Sequence, residues 1–182
     1  MVISDNEIMF KVKDGHINDI AQLYERYSKV LFAYFFKLTG MQATSEDLVN
    51  DTFFKIIKNR EKFKGTGKFK IWMFKIARSV FVDHYKKNKP FVLTDNYREQ
   101  KKEINQYDDT SAAYEATEND QLLHNALLKL KRNEREILIL SNFDGLKYKE
   151  IAEILKCSEG AVKVRVFRAL QNLRVIYLNH KD

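Results

Sequence analysis

Proline occurs once in the 182 residues, at Pro90, and glycine only six times. These two residues most often interrupt helices and build turns, so their scarcity leaves long helical runs as the default. No segment alternates apolar and polar residues as a half-buried strand would. Helical spacing is strong instead. Over 17–38 the residues Ile20, Leu23, Tyr24, Tyr27, Leu31, Tyr34, Phe35 and Leu38 recur at helical intervals, and Gly40 supplies a stop. A second helix is expected from Ser45, an N-cap with Glu46 and Asp47 at its positive end, to about Arg60. After a loop holding Gly65 and Gly67, a third is expected over 68–87, ended by Pro90.

From 91 to 117 the apolar period dissolves, and Asp95, Glu99, Glu103, Asp108, Asp109 and Glu115 outweigh Arg98, Lys101 and Lys102. Such a stretch reads as a flexible acidic linker. Beyond it four helices are expected, over 118–130, 133–143, 148–155 and 159–178, with Asn133 and Ser158 as caps and Asp144-Gly145 as a break. The expected fold is all-α. A helical bundle over 1–90 and a four-helix domain over 118–182 flank the linker 91–117, and the last two helices form a helix-turn-helix.

Chemistry of other kinds is poorly supported. One cysteine excludes an internal disulfide and a cysteine-based zinc site, and Cys157 falls in a turn where a small apolar residue packs. His16, His124 and His180 have no partners at metal-ligand spacing, so neither a metal nor a cofactor is expected. His84, beside Asp83, reads as a core histidine of the third helix rather than an acid–base group. The first thirteen residues contain no signal-peptide core, and the longest apolar run, 30–36, is too short to insert in a membrane. A cytoplasmic protein without catalytic residues is expected. The formal charge of +7 suits a polyanionic partner.

Three surfaces carry function. On the last helix Val162, Val166, Ala169 and Leu173 face inward, and Gly160, Ala161, Val164, Phe167 and Arg168 face outward, flanked by Lys163 and Arg165. With the capping Ser158, this is the pattern of a recognition helix in a DNA major groove. Cations there bond phosphates or guanine edges, and Val164 and Phe167 suit thymine methyls. On the third helix Met73, Ile76, Ala77, Val80 and Phe81 read as buried. Ile71, Lys75, Arg78, Ser79, Val82 and Lys86 read as exposed, with Trp72 at the border and Phe63, Lys64, Lys68 and Phe69 just before. Basic residues interleaved with aromatics suit single-stranded DNA, although Phe63, Phe69 and Trp72 also fit a core. On the second helix Val49, Phe53, Ile56 and Ile57 face inward. Asp47, Asp51, Phe54, Lys55 and Lys58 face outward with Leu48 and Asn50 at the edge, an arrangement suited to a protein partner.

The stretches Ser-Glu-Asp-Leu-Val-Asn-Asp-Thr-Phe-Phe-Lys-Ile from Ser45, Phe-Lys-Ile-Trp-Met-Phe-Lys-Ile-Ala-Arg-Ser-Val from Phe69, and Asp-His-Tyr-Lys-Lys from Asp83 resemble region 2 of bacterial sigma-70-type sigma factors. Asn-Glu-Arg-Glu-Ile-Leu from Asn133 and Tyr-Lys-Glu-Ile-Ala-Glu-Ile-Leu-Lys-Cys-Ser-Glu-Gly-Ala-Val-Lys-Val-Arg from Tyr148 resemble region 4. Two such regions with a short linker resemble the extracytoplasmic-function (ECF) subfamily. The resemblance implies that Asp47, Leu48, Asp51, Phe54, Lys55 and Lys58 grip the β′ clamp helices of core RNA polymerase. It implies a −10 promoter surface of Phe63, Lys64, Lys68, Trp72, Lys75, Arg78, Ser79 and Lys86. It further implies a −35 surface of Ser158, Gly160, Ala161, Lys163, Val164, Arg165, Phe167 and Arg168, contact with the polymerase β flap, and control by an anti-sigma factor. The protein would act as a monomer or in a one-to-one complex.

The chain departs from the family pattern at Lys131, Lys147 and Val164, where proline, a capping Ser or Thr, and a polar residue are common. Val164 implies a methyl contact in place of a hydrogen bond. The alternative is a stand-alone helix-turn-helix regulator acting as a dimer on a palindromic site.

Overall fold

The computed structural model describes residues 3–87, 118–142 and 146–179. The expected linker, the stop at Pro90, and Phe143 with the break at Asp144-Gly145 lie outside the described residues. Among those described, eight α-helices follow one another: α1 (Asp5–Lys13), α2 (Ile20–Thr39), α3 (Gln42–Lys58), α4 (Phe69–Lys87), α5 (Glu118–Lys129), α6 (Arg132–Ser141), α7 (Tyr148–Leu155) and α8 (Glu159–Leu178). Single 3₁₀ turns occupy Ile17–Asp19 and Arg60–Lys62.

Helix α1 was not anticipated by the period of apolar residues. Its start is a capping box: Glu7 N–H donates to Ser4 Oγ, and Ser4 N–H donates to the Glu7 carboxylate. Ile8, Met9 and Val12 then turn one face into the core. Helix α2 ends as expected at Gly40, whose φ of 72° lets its N–H reach Phe36 O. Helix α3 begins at Gln42 rather than Ser45. Ser45 sits one turn inside, buried, and its hydroxyl donates back to Met41 O at 2.6 Å, while Met41 N–H finds Thr39 Oγ1 at 3.1 Å. Helix α6 likewise starts at Arg132, with Lys131 rather than Asn133 at its boundary.

The last two helices match expectation. Lys156 adopts a left-handed turn (φ 54°) after α7, and Ser158 Oγ accepts from Ala161 N–H at 3.1 Å to cap α8. Leu31, Phe35, Phe53, Ile56, Phe74 and Phe81 fill the first half, and Ile137, Leu140, Ile151, Val162 and Val166 the second. His84 is half-buried rather than a core residue. The two halves meet: α2 packs on α5 and α6, and α4 packs on α7. Phe36 stacks on His124 with ring centres 5.0 Å apart, and the Arg132 guanidinium lies 5.7 Å from the Tyr85 ring centre.

Candidate nucleic-acid and polymerase surfaces

On α8 the inward residues Val162, Val166 and Ala169 are buried, which turns Lys163, Val164, Arg165, Phe167 and Arg168 outward, with Gly160 and Ser158 exposed and Ala161 half-buried at the helix start. Val164 and Phe167 are 50% and 63% exposed, so two apolar side chains stand in solvent among three cations. Lys163 reaches back to Glu159 at 3.2 Å, a weak exposed pair one turn away. The capped N-terminus and this outward face have the shape of an element that enters a DNA groove.

On α3, Asp47, Asp51 and Lys58 are exposed and Phe54 is 68% exposed. Leu48 is not part of that face. It is fully buried beside Val49, because the inward arc of α3 is wide enough to include it. Lys55 also turns aside, toward α4, where its ammonium pairs with Asp83 at 2.8 Å and donates to Ser79 Oγ at 3.0 Å. The hydrogen bond from Lys55 to the Asp83 carboxylate holds that carboxyl below its ordinary range. Lys55 and Ser79 therefore brace α3 against α4.

The loop before α4 corrects a second expectation. Phe63 is 2% exposed and sits in an aromatic cluster with Phe10, Phe69 and Trp72, at ring separations of 5.3, 6.2 and 5.2 Å. Phe69 is buried and Trp72 half-buried. The cations Lys64, Lys68, Lys75 and Lys86 remain exposed, and Arg78 is half-buried.

Along α4, residues 68, 71, 75 and 78 follow helical spacing, and that stripe is where the second half of the molecule lies. Lys68 pairs with Glu150 at 2.9 Å, Lys75 with Glu153 at 3.1 Å, and Arg78 Nε donates to Glu136 Oε1 at 2.9 Å. Ile71, expected to be exposed, is buried on the same stripe, whereas Ile76, expected to be buried, is half-buried. Glu136 is itself buried and also accepts from Tyr34 OH at 3.3 Å. Burial, then the Glu136 charge, pushes the Tyr34 phenol well above its usual range, so it stays a donor. Burial works against ionisation of Glu150, yet the Lys147 N–H and the Lys68 ammonium hold its carboxyl below the usual value.

Comparison with known proteins follows this geometry closely. Residues 23–91 match the model for Sigma-70 region 2, and residues 120–173 the model for Sigma-70, region 4. The RNA polymerase sigma factor YlaC of Bacillus subtilis is 31% identical over 159 residues, covering 87% of this chain and 92% of that protein. The chain belongs to the sigma-70 family. The ECF RNA polymerase sigma factor SigW of the same organism, 26% identical over 90% of this chain and 91% of its own, places this sigma factor in the ECF subfamily. Among solved structures, the sigma factor RpoE in complex with the anti-sigma factor NepR from Bartonella quintana is 25% identical. It superposes with a TM-score of 0.63 over 87% of this chain and 96% of that one.

In this sigma factor, cations of region 2 face acids of region 4 across the closed interface. Sequence reasoning gave Glu136, Glu150 and Glu153 no role. Three acids spaced through α6 and α7 opposite a basic helix carry a signal only once the two helices are known to meet. No helix among the described residues is long and apolar enough to cross a membrane.

His124 lies in the same interface. Burial, and then the charges of Arg135 and Lys37, depress its imidazole below its ordinary value. The Phe36 ring and the Lys37 charge come from the first half and Arg135 from the second, so protonation is disfavoured more strongly while the halves are together. A depressed folded value means the closed form has its full stability above about pH 6.5 and loses it as pH falls below. Energy transfer between dyes on the two halves should drop between about pH 7.5 and 5.5, and His124→Phe, which keeps the stack on Phe36, should flatten that response. A wild-type profile as flat as that of the variant would contradict this assignment.

Proposed function

We propose that this sigma factor binds core RNA polymerase and directs it to promoters by holding two DNA elements at once. Region 2, within 1–90, takes the −10 element and keeps its non-template strand after melting. Region 4, within 118–182, reads the −35 element and touches the β flap, and 91–117 links the two. The observation that carries this reading is the outward face of α8, where Lys163, Val164, Arg165, Phe167 and Arg168 stand clear of the core above a capped helix start. Supporting it, Lys64, Lys68, Trp72, Lys75, Arg78 and Lys86 line the loop and one side of α4. A base stacked on the Trp72 ring contributes about 1–3 kcal/mol, which offsets part of what melting costs, and the cations along the strand supply the rest. The exposed Phe54, with Asp47, Asp51 and Lys58, is the proposed contact with the β′ clamp helices.

The polymerase performs the chemistry; the sigma factor supplies binding energy and acts in the cytoplasm. Because Lys68, Lys75 and Arg78 are engaged by region 4, the −10 surface is free only after the halves separate. The similar sigma factor RpoE is seen in complex with the anti-sigma factor NepR, and an anti-sigma factor of this chain would act by holding the halves together.

Transcription from supercoiled genomic template by core polymerase plus this chain tests the function, and a lack of any start-specific transcript would refute it. A narrower expectation concerns Arg165. In the holoenzyme, Arg165→Ala should lower the slope of log affinity against log salt by about 0.9 for a lost phosphate contact. An unchanged slope and affinity would remove Arg165 from the DNA surface.

A further inference from the structure

Helix α1 reaches the loop between α3 and α4 at three points. Asn6 uses both ends of its amide: Nδ2 donates to Gly67 O at 3.0 Å, and Oδ1 accepts from Phe69 N–H at 2.8 Å, the first amide of α4. Lys13 Nζ donates to Phe63 O at 3.0 Å, at the opposite end of the loop. Between them the Phe10 ring lies over Gly65, whose φ is +66°, so close that a Cβ there would fall 2.3 Å from Phe10 Cζ. The tip residues Lys64, Thr66, Gly67 and Lys68 remain exposed.

The clasp is itself anchored. Asp5, one residue before Asn6, pairs with Arg26 at 2.6 Å and accepts from Tyr27 OH, tying α1 to α2. Ile8, Met9 and Val12 bury the other side of the helix. A six-residue loop with two glycines has many conformations. Here both of its ends and its left-handed glycine are held by one rigid element.

We propose that α1 is the template that shapes the −10 loop, with Asn6 as its principal positioning residue for promoter discrimination. This rests on the reading that residues 63–68 contact the −10 element. Asn6 touches no DNA in this scheme. It sets where the tip backbone and Lys64 stand when a base is captured, and a loose loop would hold correct and incorrect bases alike.

The two bonds of Asn6 can be separated. Asn6→Asp keeps an acceptor for Phe69 N–H but sets a carboxylate against Gly67 O, whereas Asn6→Ala loses both. The full-length chain is assembled with core polymerase, and melting is followed by 2-aminopurine fluorescence on a mapped promoter and on single-base −10 substitutions. Core affinity and thermal stability are measured alongside. Both variants should lower the ratio of native to substituted promoter opening about five- to tenfold, as expected from one or two hydrogen bonds. Core affinity should stay at the wild-type level, and Asn6→Asp should melt near the wild-type temperature. Wild-type discrimination in Asn6→Ala would overturn the proposal. So would a loss uniform across all −10 sequences with discrimination intact, since that indicates a merely structural role. Lys64→Ala tests the underlying reading. If it changes discrimination while Asn6→Ala does not, only the clasp fails. If loop-tip and clasp variants all leave discrimination intact, the loop does not read the −10 element and both fail.

Discussion

Replacing Glu136 by alanine is expected to open the molecule. Its carboxylate is buried between the halves and accepts from Arg78 Nε at 2.9 Å and Tyr34 OH at 3.3 Å. Removing it leaves a fully buried phenol without that acceptor and a half-buried guanidinium without its counter-charge. Loss of one partner from such a network costs about 2–3 kcal/mol, set toward the low side because Arg78 retains some solvent. That moves the closed-to-open ratio by about 30- to 150-fold. Small-angle scattering should record a larger radius of gyration, and affinity for single-stranded −10 DNA should rise because Arg78 is released. Arg78→Ala should open the molecule equally yet bring a smaller gain in DNA affinity, because Lys68 and Lys75 are freed while the Arg78 charge is lost. An unchanged radius in Glu136→Ala would mean that the ion pair follows closure rather than sustaining it.

The second large effect should come from Phe54→Ala. The side chain is 68% exposed, so truncation should change the stability of the free protein by no more than about 0.5 kcal/mol. If the ring is buried against the polymerase, its removal should cost about 2–3 kcal/mol, weakening core binding about 30- to 150-fold. Competition against a labelled sigma factor for core enzyme measures this directly. Asp47→Asn and Asp51→Asn should act differently, chiefly on the association rate and its salt dependence. Undiminished competition by Phe54→Ala would move the polymerase contact off α3.

Helix α3 also marks the limit of what a single sequence discloses. Phe54 could be placed because its neighbours Phe53 and Ile56 fall on the opposite side of an amphipathic helix, and the structure agrees. Leu48 could not. It lies at the margin of the inward arc, where a helical projection leaves tens of degrees of latitude, and the adjoining helices cover it. Ser45 misled for a related reason. A serine before acidic residues is the mark of an N-cap, but the left-handed Gly40 lets the chain reverse at once, so the helix starts three residues sooner. Helix α1 was legible in principle. The Ser4–Glu7 capping box was present, but its nine residues carry too short an apolar period to stand out.

Local chemistry decided the helices, the turn at Lys156, the cap at Ser158 and the outward face of α8, because each depends on residues within a turn or two of one another. The contact between the halves did not yield to that reading. Glu136 lies 58 residues from Arg78 and 102 from Tyr34, and no periodicity spans such separations. The same holds for Asn6, whose partners Gly67 and Phe69 are 61 and 63 residues away. A polar side chain advertises that it can bond. Only the packed tertiary structure, by excluding water and bringing distant backbone within 3 Å, determines with what.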